Sequence, residues 1–179
     1  MKKNPFISKK TKFVKQLFEA ASEAAKAFDL NPSIILAQAA IESAWGESGM
    51  ATTCSNYFGI IACGKPNNYW HGGKSKTTSR GLCFRRYASA QDSFMDYGRL
   101  LRVQYPRVAE LSFFPESFAQ AISYSAYISE TNGDDRPRYR KMLVSIERDI
   151  SEIIKAEGLL IIDTRKQPDA TCCSDYDAA

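Results

Sequence analysis

The stretch that most constrains what this chain can fold into is Asn31 to Met50, NPSIILAQAAIESAWGESGM. Asn31 offers a side-chain oxygen suited to a helix N-cap, and Pro32 falls at the first helical position, where a missing N–H costs nothing. Ile34, Ile35, Ala37, Ala40, Ile41 and Ala44 recur at helical spacing over two faces, which predicts a central, largely buried helix. Trp45 and Gly46 close the segment, with Gly46 or Gly49 as the left-handed stop. Glu42 is the one acid in the apolar part of the run. Either it is solvated on the polar side of an ordinary amphipathic helix, or it is desolvated, and desolvation favours the protonated form that a general acid near neutral pH requires. The helix alone leaves both readings open.

The 179 residues suffice for one domain with a substantial core, and an apolar fraction of 44% with 25% charged residues is ordinary for a globular protein. The net charge of +4 favours an anionic partner without selecting one. No apolar run reaches membrane-spanning length. The N-terminal MKKNPFISKKTKF is basic without an apolar segment behind it and does not read as a secretory signal. The five cysteines include no CxxC pair, and with His71 they match no common zinc spacing, so neither metal nor cofactor is expected. Cys63 and Cys83 flank an expected hairpin; a disulfide across it and two reduced thiols are both compatible with that placement.

Around the central helix, Thr11 to Phe28 carries an apolar stripe through Phe13, Val14, Leu17, Phe18, Ala21, Ala24, Ala25 and Phe28. Asn56 to Ile61 and Leu82 to Tyr87 are aromatic and β-branched and read as short strands, joined by a polar, turn-rich segment from Gly64 to Arg80. These predict a small β lobe with Tyr69, Trp70 and His71 near its tip. Ser89, with Asp92 three residues on, caps a helix to Tyr105 that Pro106 ends. A helix from Pro115 to about Ser125, a polar loop from Ser129 to Arg136 and a long helix from Pro137 to Glu157 follow, the last packed through Met142, Leu143, Ile146, Ile150, Ile153 and Ile154. Leu159 to Ile162 suggests a short extended piece. The expectation is a mainly α (α+β) fold, about five helices around the central one with an inserted β-hairpin lobe, forming a single domain over 1–165 and a frayed tail over 166–179.

Four segments in order carry a family resemblance. Ala40-Ile41-Glu42-Ser43-Ala44-Trp45-Gly46-Glu47-Ser48 resembles the catalytic helix of the cell-wall glucosaminidases, glycoside hydrolase family 73. Asn56-Tyr57-Phe58-Gly59-Ile60 resembles its Asn-x-Phe-Gly-Ile segment. Phe84-Arg85-Arg86-Tyr87 with Ser89, Ser93 and Asp96 resembles its strand-to-helix passage. Tyr127-Ile128-Ser129-Glu130, and Tyr139 after an insertion, resemble its tyrosine segment. The match covers roughly Phe13 to Lys155. It implies a lysozyme-like fold, a peptidoglycan glycan substrate cut at the β-1,4 bond after N-acetylglucosamine, and action on the cell wall in the periplasm or outside the cell. By the same resemblance Glu42 is the general acid and Tyr127 stands near the reacting sugar, with Tyr139 the lesser claimant to that role. A monomer without a membrane span is expected.

One departure bears on mechanism. Many family members carry a second Glu near the position of Leu82, whereas this chain has no acid between Glu47 and Asp92. Three accounts stay open: Glu130, Asp134 or Asp135 supplies the second group; the substrate's own acetamido group acts as nucleophile, which needs one strong acid only and is favoured for that reason; or the chain binds the wall without cutting it efficiently. A lytic transglycosylase acting on the same strand is a further alternative. Asn56, Tyr57, Tyr69, Trp70 and Tyr139 are the candidate substrate-binding residues, the aromatics serving either as sugar platforms or as the lobe's own core. Lys74, Lys76, Arg80, Arg85 and Arg86 form a basic patch read as a solvated face, since no nucleic-acid motif accompanies it. Cys54 with His71 is a weak alternative nucleophile pair, because Cys54 precedes an expected strand and no acid nearby in sequence would orient the imidazole.

Overall fold

The computed structural model describes residues 8–77, 81–128 and 135–160. Seven helices account for nearly all its regular structure: α1 Lys9–Phe28, α2 Pro32–Glu42, α3 Gly49–Cys54, α4 Ala90–Gln104, α5 Pro106–Glu110, α6 Pro115–Ser123 and α7 Arg136–Ala156. Their starts follow local chemistry. Ser8, Asn31, Ser48, Ser89 and Asp135 each accept a backbone N–H from the first turn of the helix they precede, and proline opens α2, α5 and α6. Pro106 therefore starts a short helix of its own rather than merely ending α4.

α2 is the axis of the fold. Every residue from Pro32 to Ala40 is buried, and α1 and α7 pack on either side of it, with α4 against α1 and α6 against α7. Leu17, Ala21, Ile34, Leu36, Phe94, Leu101, Phe118, Leu143 and Ile150 fill one continuous core. Two polar contacts fix the register. Ser33 donates to the buried Glu147 of α7 at 2.7 Å, and the Asn31 N–H donates to Ser112 Oγ at 3.2 Å. Gly98 sits where α4 crosses α1, and a Cβ there would lie 2.5 Å from the Phe28 ring, so only glycine fits.

The central helix is shorter than its sequence suggests. It stops at Glu42, and the chain turns through left-handed Ala44 (φ 52°), Trp45 (φ 62°) and Gly46 (φ 81°) before α3 begins. Two non-glycine residues in that region carry strain of roughly 1–2 kcal/mol each. The turn is held by the Trp45 N–H on Ala40 O at 2.8 Å, the Ser48 N–H on Ser43 O at 2.8 Å, and Ser43 Oγ accepting from the Gly46 N–H at 2.8 Å. Trp45 packs edge-on against Phe13.

The expected β lobe is not built as a hairpin. Among the described residues segments 56–61 and 82–87 meet in one isolated antiparallel bridge, Ile61 with Phe84, and a second joins Lys74 of the connecting stretch to Arg85. Side chains supply much of the remaining bonding. Asn56 Nδ2 donates to Ile60 O and Arg85 O at 3.0 and 2.9 Å, while its Oδ1 accepts from the N–H groups of Phe58 and Ile60. Asn67 Oδ1 accepts from Tyr69 and Trp70, and Arg85 reaches the carbonyls of Ile61 and Cys63. These side-chain bonds add to a few backbone pairings, Arg85 N–H on Ile60 O at 2.9 Å, Ala62 N–H on Cys83 O at 2.8 Å and Ser75 N–H on Phe84 O at 2.9 Å, so the lobe is held without a regular ladder. Cys63 and Cys83 are free thiols rather than a disulfide. α6 ends at Ser123, two residues early, and Met142 is exposed on α7 rather than packed in the core. The loop residues Ser129 to Asp134, Ile161 and Ile162, and the 166–179 tail lie outside the described residues.

Candidate active site

Glu42 ends α2 at the wall of a groove of about 610 Å³. The groove is lined by segment 58–61 with Phe84 and Arg85, by the C-terminal part of α4, by the 126–128 segment and by α7. Its walls are largely apolar: Ile41, Phe58, Ile60, Ile61, Leu100, Ile128 and Met142. Among the described residues Glu42 is the sole carboxylate that lines it. No group of three or more His, Cys, Asp or Glu side chains able to hold a metal occurs among those residues.

Three tyrosines, Tyr139, Tyr127 and Tyr97, stand near the carboxylate, and a fourth, Tyr105, packs on Tyr127. Tyr139, on α7, donates its O–H to Glu42 Oε1 at 3.3 Å and accepts from Gln38 Nε2 at 2.9 Å. Gln38 lies one helical turn before Glu42 on α2 and is fully buried, so the two side chains rise from one face of the helix. Tyr127 contacts Tyr97 and Tyr105 edge-on, at ring separations of 6.3 and 6.1 Å, and Tyr97 stacks on Phe58 at 3.9 Å. The hydroxyls of Tyr127 and Tyr97 and Gln38 Oε1 are buried without a hydrogen-bond partner among the described residues. Burial, and then the charge of Glu42, hold the Tyr127 hydroxyl well above its ordinary pKa. For Tyr97 burial comes first, followed by Tyr139 and Glu42. Both stay neutral O–H donors across any working pH.

The remaining candidates sit elsewhere. Asn56 is buried with its hydrogen-bonding capacity spent inside the protein. Trp70 is 1% exposed, its indole N–H on Gly73 O at 2.6 Å and its face under the Arg85 guanidinium at 4.3 Å. Tyr69 packs edge-on against Phe28. Tyr57 opens onto a separate small pocket with Phe13, Trp45 and Glu47. Arg85 is not part of an exposed basic patch; it is 6% exposed and paired with Asp96 at 2.5 Å. Asp96 also accepts from Tyr87, Arg99 and Asn67. Burial alone would raise its pKa, but the hydrogen bonds from Tyr87, Arg99 and Arg85 outweigh that and hold it below the usual carboxylate value. Leu82, where a second acid would be expected, is exposed and does not line the groove. Asp135 caps α7; Glu130 and Asp134 lie outside the described residues. Sequence reasoning passed over Gln38, Tyr97 and Tyr105. The available signal for Gln38 was a lone amide four residues before Glu42 in an otherwise apolar run.

Known proteins resemble this arrangement. The peptidoglycan hydrolase FlgJ of Vibrio parahaemolyticus is 29% identical over 79% of this chain and 47% of its own length. The exo-glucosaminidase LytG of Bacillus subtilis is 27% identical over 73% of this chain and 50% of its own. The chain thus spans about half the length of these curated relatives. The glycoside hydrolase domain of Salmonella typhimurium FlgJ superposes with a TM-score of 0.61 at 25% identity, covering 83% of this chain and 92% of that one. The catalytic domain of the autolysin Auto from Listeria monocytogenes, at 20% identity, shares the fold with a TM-score of 0.59, over 86% of this chain and 90% of that domain. The mannosyl-glycoprotein endo-beta-N-acetylglucosaminidase model matches residues 18–152, well over half of the sequence, and the chain belongs to that glucosaminidase family.

Proposed function

We propose that this chain hydrolyses the glycan strand of peptidoglycan at the β-1,4 bond after N-acetylglucosamine, with Glu42 as the general acid. One observation carries the reading: the Glu42 carboxylate is the only described acid in an apolar groove of about 610 Å³, and Tyr139 hydrogen-bonds it there. Protonated Glu42 delivers its proton to the departing glycosidic oxygen as the C1–O bond breaks. The carbonyl oxygen of the substrate's 2-acetamido group closes on C1 and forms a cyclic oxazolinium ion. Water then opens that ring from the opposite face, giving its proton to the Glu42 carboxylate, so the acid is regenerated and the anomeric configuration is retained. Tyr127, neutral and with a hydroxyl lacking a partner among the described residues, is suited to hold the acetamido group in line. The apolar walls exclude competing water.

The test is digestion of purified peptidoglycan followed by mass spectrometry of the new ends. A free reducing N-acetylglucosamine is expected, and an anhydro-muramic end would make the chain a transglycosylase. Glu42→Gln should lower turnover by about 10²–10⁴-fold, the range for losing a general acid. Full lytic activity in that variant, or binding to sacculi with no bond broken by the wild type, removes the assignment.

A further inference from the structure

A second groove, of about 550 Å³, lies between α6 and α7. Pro137, Arg140, Lys141, Val144 and Arg148 line it from α7, and Glu116 and Tyr124 from the α6 side. On α7 these residues point away from Tyr139, which faces Glu42, because 140, 141, 144 and 148 cluster on the opposite side of a 3.6-residue turn. The groove is therefore separated from the Glu42 site by the thickness of a helix.

Its lining is mostly cationic: Arg140, Lys141 and Arg148 share one hollow with a single acid, Glu116, and make no salt bridge among the described residues. Tyr124 is 58% exposed, and the Arg136 guanidinium lies 5.4 Å from its ring. Three exposed cations beside Val144 and an aromatic ring suit carboxylates carried on short aliphatic stems. Guanidinium groups bind carboxylates in a two-pronged fashion, and Arg140 and Arg148 stand about 12 Å apart along the helix axis. A ligand with repeated acids would span them.

We propose that this groove docks the peptide-stem carboxylates of a glycan strand next to the one being cut, and so holds the enzyme on a cross-linked wall. The proposal rests on the hydrolase reading only in naming peptidoglycan as the ligand. The test uses the full chain bearing Arg140→Glu and Arg148→Glu, both exposed positions, beside Lys26→Glu as an exposed control outside the groove. On stem-bearing peptidoglycan the double variant should raise KM about 10-fold with kcat held, the scale of a few partly exposed charge pairs. On glycan strands stripped of stems by an amidase it should match wild type, and the control should match throughout. Sedimentation with sacculi in a Glu42→Gln background measures binding without turnover, so it reads the groove even if the hydrolase reading fails. Unchanged binding and KM, or an equal loss on stripped strands, overturns the proposal. So does a deficit that vanishes once phosphodiester polymers are removed from the sacculi, since those polymers would then be the ligand.

Discussion

Replacing Asp96 by Asn takes the charge from a fully buried carboxylate that accepts from Arg85 at 2.5 Å, Tyr87 at 2.7 Å, and Arg99 and Asn67 at 2.9 Å. An amide has one accepting oxygen, so at least one of these donors loses its partner, and Arg85, 6% exposed, loses its nearest countercharge. Breaking a buried ion pair from one side costs about 3–5 kcal/mol. Arg85 keeps the carbonyls of Ile61 and Cys63 and the face of Trp70, which places the loss near the lower end, at about 3 kcal/mol. For a chain of this length that is a fall in Tm of about 10 °C. Urea unfolding followed by tryptophan fluorescence suits the measurement, since Trp70 lies against the network. The Arg85→Met/Asp96→Asn double variant should lose less than the sum of the two single variants, by about 1 kcal/mol or more. The pH dependence has a definite sign. Asp96 is held below its unfolded pKa, so its contribution is complete above the unfolded value of about 3.9 and is lost as pH falls through the lower folded value. The gap between wild type and Asp96→Asn should hence be flat from about pH 8 to 5 and close below about pH 4. A loss under 1 kcal/mol, strict additivity, or a gap that closes toward alkaline pH would refute the reasoning.

Other perturbations bear on the groove and the core. Tyr139→Phe removes the hydroxyl between Gln38 and Glu42, and kcat should fall about 10-fold, the worth of one charge-assisted hydrogen bond, with KM nearly held; equal kcat in both proteins would mean the contact is idle. Glu130→Gln and Asp134→Asn should each keep lysis within about 3-fold if the acetamido group is the nucleophile, while a loss of about 100-fold in either would assign the second catalytic group to that loop. Gly98→Ala forces a Cβ against the Phe28 ring and should cost about 1–3 kcal/mol in unfolding experiments; a neutral result would mean α1 and α4 separate easily.

Much of the helical frame was legible because its signals are local. Asn31-Pro32, Ser89 with Asp92, and the apolar stripe of α1 depend on neighbours a turn away, and the structure uses them as read. The lobe's two runs meet through an isolated bridge rather than regular strands, which was not legible because aromatic, β-branched runs say nothing about which donor will satisfy the backbone. Asn56 and Arg85 supply those bonds across 4 to 29 residues of sequence, and Asn67 supplies local ones. Asn56 and Trp70, read from the sequence as candidate substrate contacts, are buried and bonded within the protein. Around Glu42 the difficulty was reversed. Tyr97 sits on an amphipathic helix and reads as ordinary core, and only the meeting of α2, α4, α7 and the 126–128 segment brings it, Tyr139 and Tyr127 to one carboxylate.

The saturated amide of Asn56 carries a consequence for recognition. The stretch it braces delivers Phe58, Gly59 and Ile60 to the wall of the Glu42 trench, and its four internal bonds are all made within the protein, so none must be given up when a ligand arrives. That part of the wall is cast before the guest appears, so little freedom remains to be surrendered there on association. Selectivity there then resides in fixed shape, and adaptation falls to the α7 part, where Met142 stands half free on its long, unbranched stem.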